Sequence, residues 1–210
     1  MKNYTCLALG YLLAITVSFA ACQQSPPKPH ATKVELSEAT SKDLVQVTGS
    51  GDGLESINVT LQSKSNDPLE VTVQPGTIFE ALSGGTQSMV TREERSVTLE
   101  SSGSTQSLTI DAACANMHLN MPGEGDRFSI RKTPPSDDLK KLVTVPGFHS
   151  EPFRVQQFAI WTITDNPDRS GYVEIGETDF GSGPGEEEIQ KIRVLFGKAG
   201  ISTEKYRALR

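Results

Sequence analysis

The chain is 210 residues long, carries a formal net charge of −6 and is 36% hydrophobic, which allows one folded core or two small ones. This acidic balance, without a prominent cluster of Lys and Arg, argues against a nucleic-acid partner. Its three histidines lack metal-ligand spacing and neither a G-x-S-x-G nor a P-loop motif is present, so we do not expect an enzyme.

The first 21 residues have the organisation of an export signal. Lys2 supplies the positive start, Cys6–Phe19 is an apolar run, and small residues lead into Cys22. The run is too short and too early for a stable membrane-spanning helix. The Ser18–Cys22 segment resembles the lipobox of bacterial lipoproteins. That resemblance implies that Cys22 is lipidated and anchors the protein in the cell envelope, at the outer membrane or the cell surface.

The three cysteines have different expected fates. Cys6 is removed with the leader, and a lipidated Cys22 leaves Cys114 as the lone thiol in an oxidising compartment. Ordinary cleavage near Ala20 or Ala21 would instead leave Cys22 as a plain thiol, and Cys22 could then form a disulfide with Cys114. The simplest alternative is that Cys114 is a buried free cysteine that packs as a small hydrophobe.

Residues 22–43 are predicted to be a flexible tether, because they are polar and hold three prolines before His30. Residues 44–133 show the period-two alternation of β-strands, interrupted by Gly, Pro, Asn and Asp at turns. The alternating apolar positions are Ile57, Val59 and Leu61; Leu69, Val71 and Val73; Val97 and Leu99; Leu108, Ile110 and Cys114; and Phe128 and Ile130. This pattern predicts an antiparallel immunoglobulin-like β-sandwich.

Residues 134–210 change to a helical pattern and are predicted to form a small helical part packed on the sandwich, giving an α+β order. Ser136 is a cap signal for a short helix, and Pro184 opens a helix that Gly200 ends. Between them, Pro152–Asn166 is apolar on two helical faces and holds the only tryptophan. A strand is the alternative for Ile160–Thr164, which is rich in β-branched residues.

The amide of Gln157 lies within this apolar segment, so it is paired, exposed or chemically used. A cysteine thiol that attacks a glutamine carboxamide expels ammonia and leaves an internal thioester. This chemistry requires an exported protein, an unpaired cysteine, an amide in apolar surroundings and contact between the two residues. Cys114 and Gln157 supply the cysteine and the amide, and the sequence is silent on their contact. The alternative is a packed cysteine and a hydrogen-bonded glutamine.

The segment Gln156–Trp161 resembles the Thr-Gln-x-Ala signature of the thioester domains of bacterial surface adhesins, and Ala113–Asn116 is similar to their cysteine motif. The resemblance implies that Cys114 and Gln157 form an internal thioester. It also implies covalent attachment to a surface protein or another amine-bearing ligand. The alternative function is non-covalent binding or scaffolding by a lipoprotein of the cell envelope.

Asn166–Glu177 matches an EF-hand calcium loop at several positions. The expected ligands are Asn166, Asp168, Ser170, Tyr172, Glu174 and Glu177. The alternative is a polar turn that closes a helix at an Asn-Pro step. No other cofactor is expected.

Overall fold

The computed structural model describes residues 30–172 and 182–210, and these ranges contain nine β-strands and four α-helices. The strands are β1 (Thr32–Glu35), β2 (Val45–Gly51), β3 (Ser56–Ser63), β4 (Leu69–Val73), β5 (Ile78–Ala81), β6 (Ser88–Thr91), β7 (Arg95–Leu99), β8 (Thr105–Ala115) and β9 (Arg127–Ile130). The helices are α1 (Leu36–Ser41), α2 (Asp137–Thr144), α3 (Phe153–Thr164) and α4 (Glu186–Lys198).

Six strands close into an antiparallel barrel in the order β2-β3-β8-β6-β5-β9. The seam between β2 and β9 closes the barrel with the pairs Gly49–Phe128 and Ser50–Arg127. A separate three-stranded sheet has the order β1-β4-β7, in which β1 runs parallel to β4 and β7 runs antiparallel to it. The α+β class is therefore confirmed, with more sheet than helix.

The barrel differs from the immunoglobulin-like sandwich that the alternation predicts. Its strands form one continuous hydrogen-bonded sheet in which β9, the last strand in the order, pairs with β2, the first. β8 explains how the sheet turns. Its residues Thr105–Asp111 pair with β3, whereas Ala112–Ala115 pair with β6 on the other side. A long strand shared in this staggered way lets a twisted sheet curl towards closure.

Residues 32–41 are ordered, so the prediction of a flexible tether over 22–43 is wrong for this part. β1 adds a strand to the small sheet, and α1 buries Leu36 and Ala39 at 1% and 0% exposure. Burial of these apolar side chains fixes a segment whose composition alone is polar. Residues 22–29 lie outside the described ranges.

The helices follow their sequence signals closely. Ser136 caps α2 by accepting a hydrogen bond from Leu139 N at 3.2 Å. α3 is a helix rather than the alternative strand, and Gly200 adopts a φ of +66° just after α4. None of the helices in the described ranges has both the length and the hydropathy needed to cross a bilayer.

One hydrophobic core joins the sheets to the helices. α3 lies at its centre and contacts β8, α2 and α4. Eight consecutive α3 residues, from Val155 to Thr162, are buried. A helix buried on all sides is positioned by packing on every face, and it therefore holds its side chains in fixed places relative to the barrel.

Candidate functional site

The Cys114–Gln157 pair lies where β8 extends beyond β3. The pairing of β3 with β8 ends at Ser56–Asp111, followed by one more backbone bond from Ala112 N to Glu55 O, so one edge of Ala113–Ala115 has no neighbouring strand. α3 runs beside this edge. The structure therefore brings together the two residues, 43 positions apart, that the sequence singles out.

Gln157 is fully buried and bonds to the backbone of Cys114 in both directions. Cys114 N donates to Gln157 Oε1 at 2.8 Å, and Gln157 Nε2 donates to Cys114 O at 2.7 Å. The carboxamide thus occupies the place of a peptide group in a neighbouring strand. Of the three readings of Gln157, the structure supports a paired amide.

Two further side chains, like that of Gln157, bond to backbone groups along β8 and just beyond it in place of a neighbouring strand. Arg92 Nε donates to Ala112 O at 2.9 Å and its Nη1 donates to Gln156 Oε1 at 2.7 Å, which links the helix to the strand. Beyond the strand, Met117 N donates to Asp165 Oδ1 at 3.1 Å. Polar side chains on or near α3 therefore satisfy backbone groups that β3 leaves without a partner.

The thiol of Cys114 is fully buried on the same face of β8 as Ile110, which confirms the expected orientation towards the core. Cys114 Sγ lies 3.7 Å from Met89 Sδ, on the strand that flanks β8 opposite to Gln157. Burial raises the pKa of this thiol from 9.0 to about 12, so the thiol is protonated at neutral pH.

The geometry opposes direct attack of this thiol on the carboxamide. Strand side chains stand perpendicular to the sheet, whereas backbone N–H and C=O groups lie in its plane. Gln157 meets Cys114 in that plane, and the thiol points out of it towards Met89. A bond between Cys114 Sγ and Gln157 Cδ would require the carboxamide to rotate and lose both hydrogen bonds.

The described part of the candidate calcium loop uses its polar groups within the protein. Asn166 Oδ1 accepts a hydrogen bond from Arg207 N at 2.9 Å, and Asp168 Oδ1 accepts from Ser170 Oγ at 2.7 Å and Gly171 N at 2.8 Å. These bonds lower the pKa of Asp168, with Ser170 the main cause. They form the polar turn that is the alternative interpretation.

Tyr172 is buried, and its hydroxyl lies 2.6 Å from Thr162 Oγ1 on α3. Glu174 and Glu177 lie outside the described residues, as does Cys22. Within the described ranges, no group of three or more His, Cys, Asp or Glu side chains is arranged to hold a metal ion.

A cleft of about 500 Å³ lies between α2, the end of the barrel and the start of α1. We call it the α2 cleft. Its walls come from the turn before β5, the linker between β9 and α2, and one side of α2. Its lining residues are Glu35, Ser37, Gln74, Pro75, Thr77, Ile78, Ile130, Arg131, Lys132, Thr133, Pro134, Pro135, Lys140, Lys141 and Thr144.

The sequence interpretation missed this cleft because its cations come from two separate doublets. Arg131-Lys132 directly follows β9, and Lys140-Lys141 lies on α2. Pro134 and Pro135 stand between the doublets, and the chain brings both to one cleft there. Two basic doublets on either side of a Pro-Pro step are a signal from which the cleft could have been suspected.

Comparison of the chain with models of protein families, with curated proteins and with solved structures found no match. Function is therefore inferred from the chemistry of the Cys114–Gln157 pair and of the α2 cleft.

Proposed function

We propose that this protein is an exported, lipid-anchored protein of the bacterial cell envelope that binds a small ligand non-covalently in the α2 cleft and has no catalytic activity. The α2 cleft carries the proposal. Its volume of about 500 Å³ lies within the range of about 300–1,000 Å³ typical of small-molecule sites. The export signal and the lipobox-like Ser18–Cys22 segment support the anchoring through Cys22.

The form of the cleft also favours binding. Several of its wall residues are apolar, including Ile78, Ile130 and Pro135, and polar side chains stand around them. The walls belong to a barrel end and to a helix that share one hydrophobic core, so the cleft is formed before a ligand arrives. When a site is already formed, binding does not include the free-energy cost of ordering its loops and side chains.

The experiment uses a mixture of 1-naphthoate, 1-naphthyl phosphate and 1-naphthalenemethanol, observed by ligand-detected NMR with the whole mature chain. We expect at least one compound to bind and the Thr144→Trp variant, which places an indole on the cleft wall, to lose that binding. Thr98→Trp, at an exposed position on β7, is the control and should bind as the unmodified protein does. Absence of binding by all three compounds would reject the proposal.

A second candidate function is covalent surface attachment through an internal thioester, as the adhesin resemblance implies. The contact between Cys114 and Gln157 favours it, because an internal thioester requires that these two residues lie together in a buried place. The buried, protonated thiol and the two amide hydrogen bonds count against it.

Intact mass separates the two candidates. A thioester lowers the mass of the mature protein by one ammonia, and Cys114→Ala abolishes that loss. The non-covalent proposal expects full mass, with Cys114 alkylated after denaturation but not before. A mass deficit that disappears in Cys114→Ala would replace the non-covalent proposal by the covalent one.

A further inference from the structure

Positive charge is concentrated at the α2 cleft although the whole chain carries a net charge of −6. Four cationic side chains line the cleft, opposed by the carboxylate of Glu35 in the lining and by that of Glu80, which pairs with Arg131. The cations are Arg131, Lys132, Lys140 and Lys141. A concave surface lined mainly by positive charges raises the local concentration of anions.

The three lysines have their ammonium groups available. Lys132, Lys140 and Lys141 are exposed, and no described residue forms an ion pair with them. Lys141 is near Asp138, but that carboxylate also accepts hydrogen bonds from Lys205 and Tyr206. The charge of Asp138 is thus shared, and the lysine charge at the cleft remains.

Arg131 is held in place for a ligand. Its Nε donates to Glu80 Oε1 at 2.6 Å, and the side chain is 31% exposed. Within the described ranges, its two terminal nitrogens donate no hydrogen bond. A guanidinium fixed through one nitrogen presents the others in a planar fork that matches carboxylate and phosphate oxygens.

The apolar part of the lining lies next to these cations. Ile78 is buried at 5% exposure and Ile130 is half-buried, and Pro75, Pro134 and Pro135 add further apolar surface. Apolar walls beside cationic side chains fit a ligand whose apolar body ends in an anionic group. A bare inorganic anion would leave those walls in contact with water.

We infer that the α2 cleft binds small amphiphilic anions, with the phosphate or carboxylate of the ligand at Arg131, Lys132, Lys140 and Lys141 and its apolar body against Ile78 and Ile130. This inference rests on the proposed binding function and names the chemical class of its ligand. Glu35, which also lines the cleft, lowers the affinity for any anion by like-charge repulsion.

The test is isothermal titration calorimetry of the mature chain at low ionic strength with 1-naphthyl phosphate, 1-naphthoate, the neutral 1-naphthalenemethanol and inorganic phosphate. We expect both naphthyl anions to bind at least about tenfold more tightly than the alcohol, since only the anions accept charge-assisted hydrogen bonds from the arginine and the lysines. Inorganic phosphate should bind more weakly than naphthyl phosphate, and added salt should weaken the binding of both anions. The ratio of the two naphthyl anions distinguishes a phosphate-preferring from a carboxylate-preferring site.

Three variants locate the effect. Lys140→Gln/Lys141→Gln should weaken the binding of 1-naphthyl phosphate by about tenfold or more. Lys198→Gln, at the exposed C-terminal end of α4, is the matched control and should leave the affinity unchanged. Glu35→Gln should tighten the binding of anions, an effect that a damaged fold would not produce.

The outcomes separate the ligand class from the binding function itself. If the neutral alcohol binds in the cleft as tightly as the anions, or if Lys140→Gln/Lys141→Gln binds as the unmodified protein does, the anion inference is overturned while ligand binding stands. If none of the naphthyl compounds binds, the inference and the binding function fail together.

Discussion

Burial determines the chemistry of Cys114. Its thiol is 0% exposed, contacts Met89 and has a pKa raised to about 12, so it remains a neutral, packed group under physiological conditions. An unfolded chain returns the pKa of the thiol to about 9 or slightly below. The difference between these two pKa values makes the stability of the protein depend on pH in the alkaline range.

We predict that Cys114→Ala alters the alkaline stability profile. Because the folded-state pKa is raised, the thiol has no pH-dependent effect below the unfolded pKa of 9.0, and stability is lost as the pH rises from there towards about 12. The slope of this loss approaches about 1.4 kcal/mol per pH unit. Urea denaturation of both proteins between neutral pH and the highest pH that the fold tolerates measures the difference.

Cys114→Ala has no thiol and therefore lacks this alkaline loss of stability. Burial also raises the pKa values of Tyr172 and Tyr206, but these tyrosines are common to both proteins. The difference in unfolding free energy between the two should therefore be constant up to the unfolded pKa of the thiol and shrink above it. Parallel profiles throughout would contradict the burial of this thiol.

Gln157 contributes stability through its two hydrogen bonds to Cys114. Gln157→Ala leaves one buried N–H and one buried C=O without their partner, so we expect the unfolding free energy to fall by about 2–4 kcal/mol. Gln190→Ala, at an exposed position on α4, is the control and should stay within about 0.5 kcal/mol. Equal effects of the two substitutions would show that the Gln157 carboxamide is not paired.

At the level of elements, Arg92 ties α3 to the barrel. It is 6% exposed and donates to Ala112 O, Gln156 Oε1 and, at 3.2 Å, Glu55 O. Its guanidinium carbon also lies 4.8 Å from the ring centre of Phe153 at the start of α3. Burial lowers its pKa, and neighbouring carboxylates, Asp111 first, offset part of that effect.

Arg92→Met is predicted to destabilise the protein by about 2–4 kcal/mol, because it retains apolar volume but removes the hydrogen bonds that Arg92 donates to the buried Ala112 O and Gln156 Oε1. The unfolding free energy of Arg92→Lys should lie between those of Arg92→Met and the unmodified protein, since one ammonium group does not span the three acceptors. Chemical denaturation measures both. Arg95→Met, at an exposed arginine on β7, is the matched control, and an equal loss in that variant would contradict the role of Arg92.

The sequence predicts most of these elements because their signals are local. The alternation over 44–131 locates the strands, and the capping serine at Ser136 and the stop at Gly200 locate helix ends. β1 and α1 were missed because each is short and has few apolar residues. Val34, Leu36 and Ala39 are buried only through contacts with distant parts of the chain.

The candidate site was partly predictable for the same reason. An amide within an apolar helix indicates a special role for Gln157, and a lone thiol draws attention to Cys114. Their actual relation depends on the backbone of β8, which has no residue signature. The α2 cleft combines residues far apart along the chain, such as Glu35 and Thr144, so the local signal of the two basic doublets around Pro134-Pro135 indicates only part of it.

For the whole molecule, closure of the barrel depends on close approach at its seam. A Cβ on Gly49 would lie 2.9 Å from Phe128 Cβ on β9, and one on Gly51 would meet the backbone carbonyl of Gly123. Glycine at these positions lets β2 approach its neighbours. The sandwich expected from alternation and the observed barrel share this strand pattern, and they differ in pairings between distant segments that period two does not encode.

Gly51→Ala is therefore predicted to lower the unfolding free energy by about 1–3 kcal/mol, since its methyl group meets backbone that has little room to move. Gly84→Ala is the control, because a Cβ there has no other atom within 4 Å, and it should be neutral within about 0.5 kcal/mol. Thermal or urea unfolding measures both. Equal stability of the two variants would show that the loop at Gly123 yields easily.

The pairing of Gln157 with β8 also bears on how the chain reaches its folded state. All nine strands of the described ranges precede Phe153, so a barrel that assembles during synthesis does so before α3 is available. Until α3 docks, Ala113–Ala115 presents an open strand edge of the kind that pairs with other chains. Premature termination or proteolysis before Phe153 should therefore yield an aggregation-prone barrel. In the complete chain, α3 covers this edge and prevents its association with the strand edges of other chains.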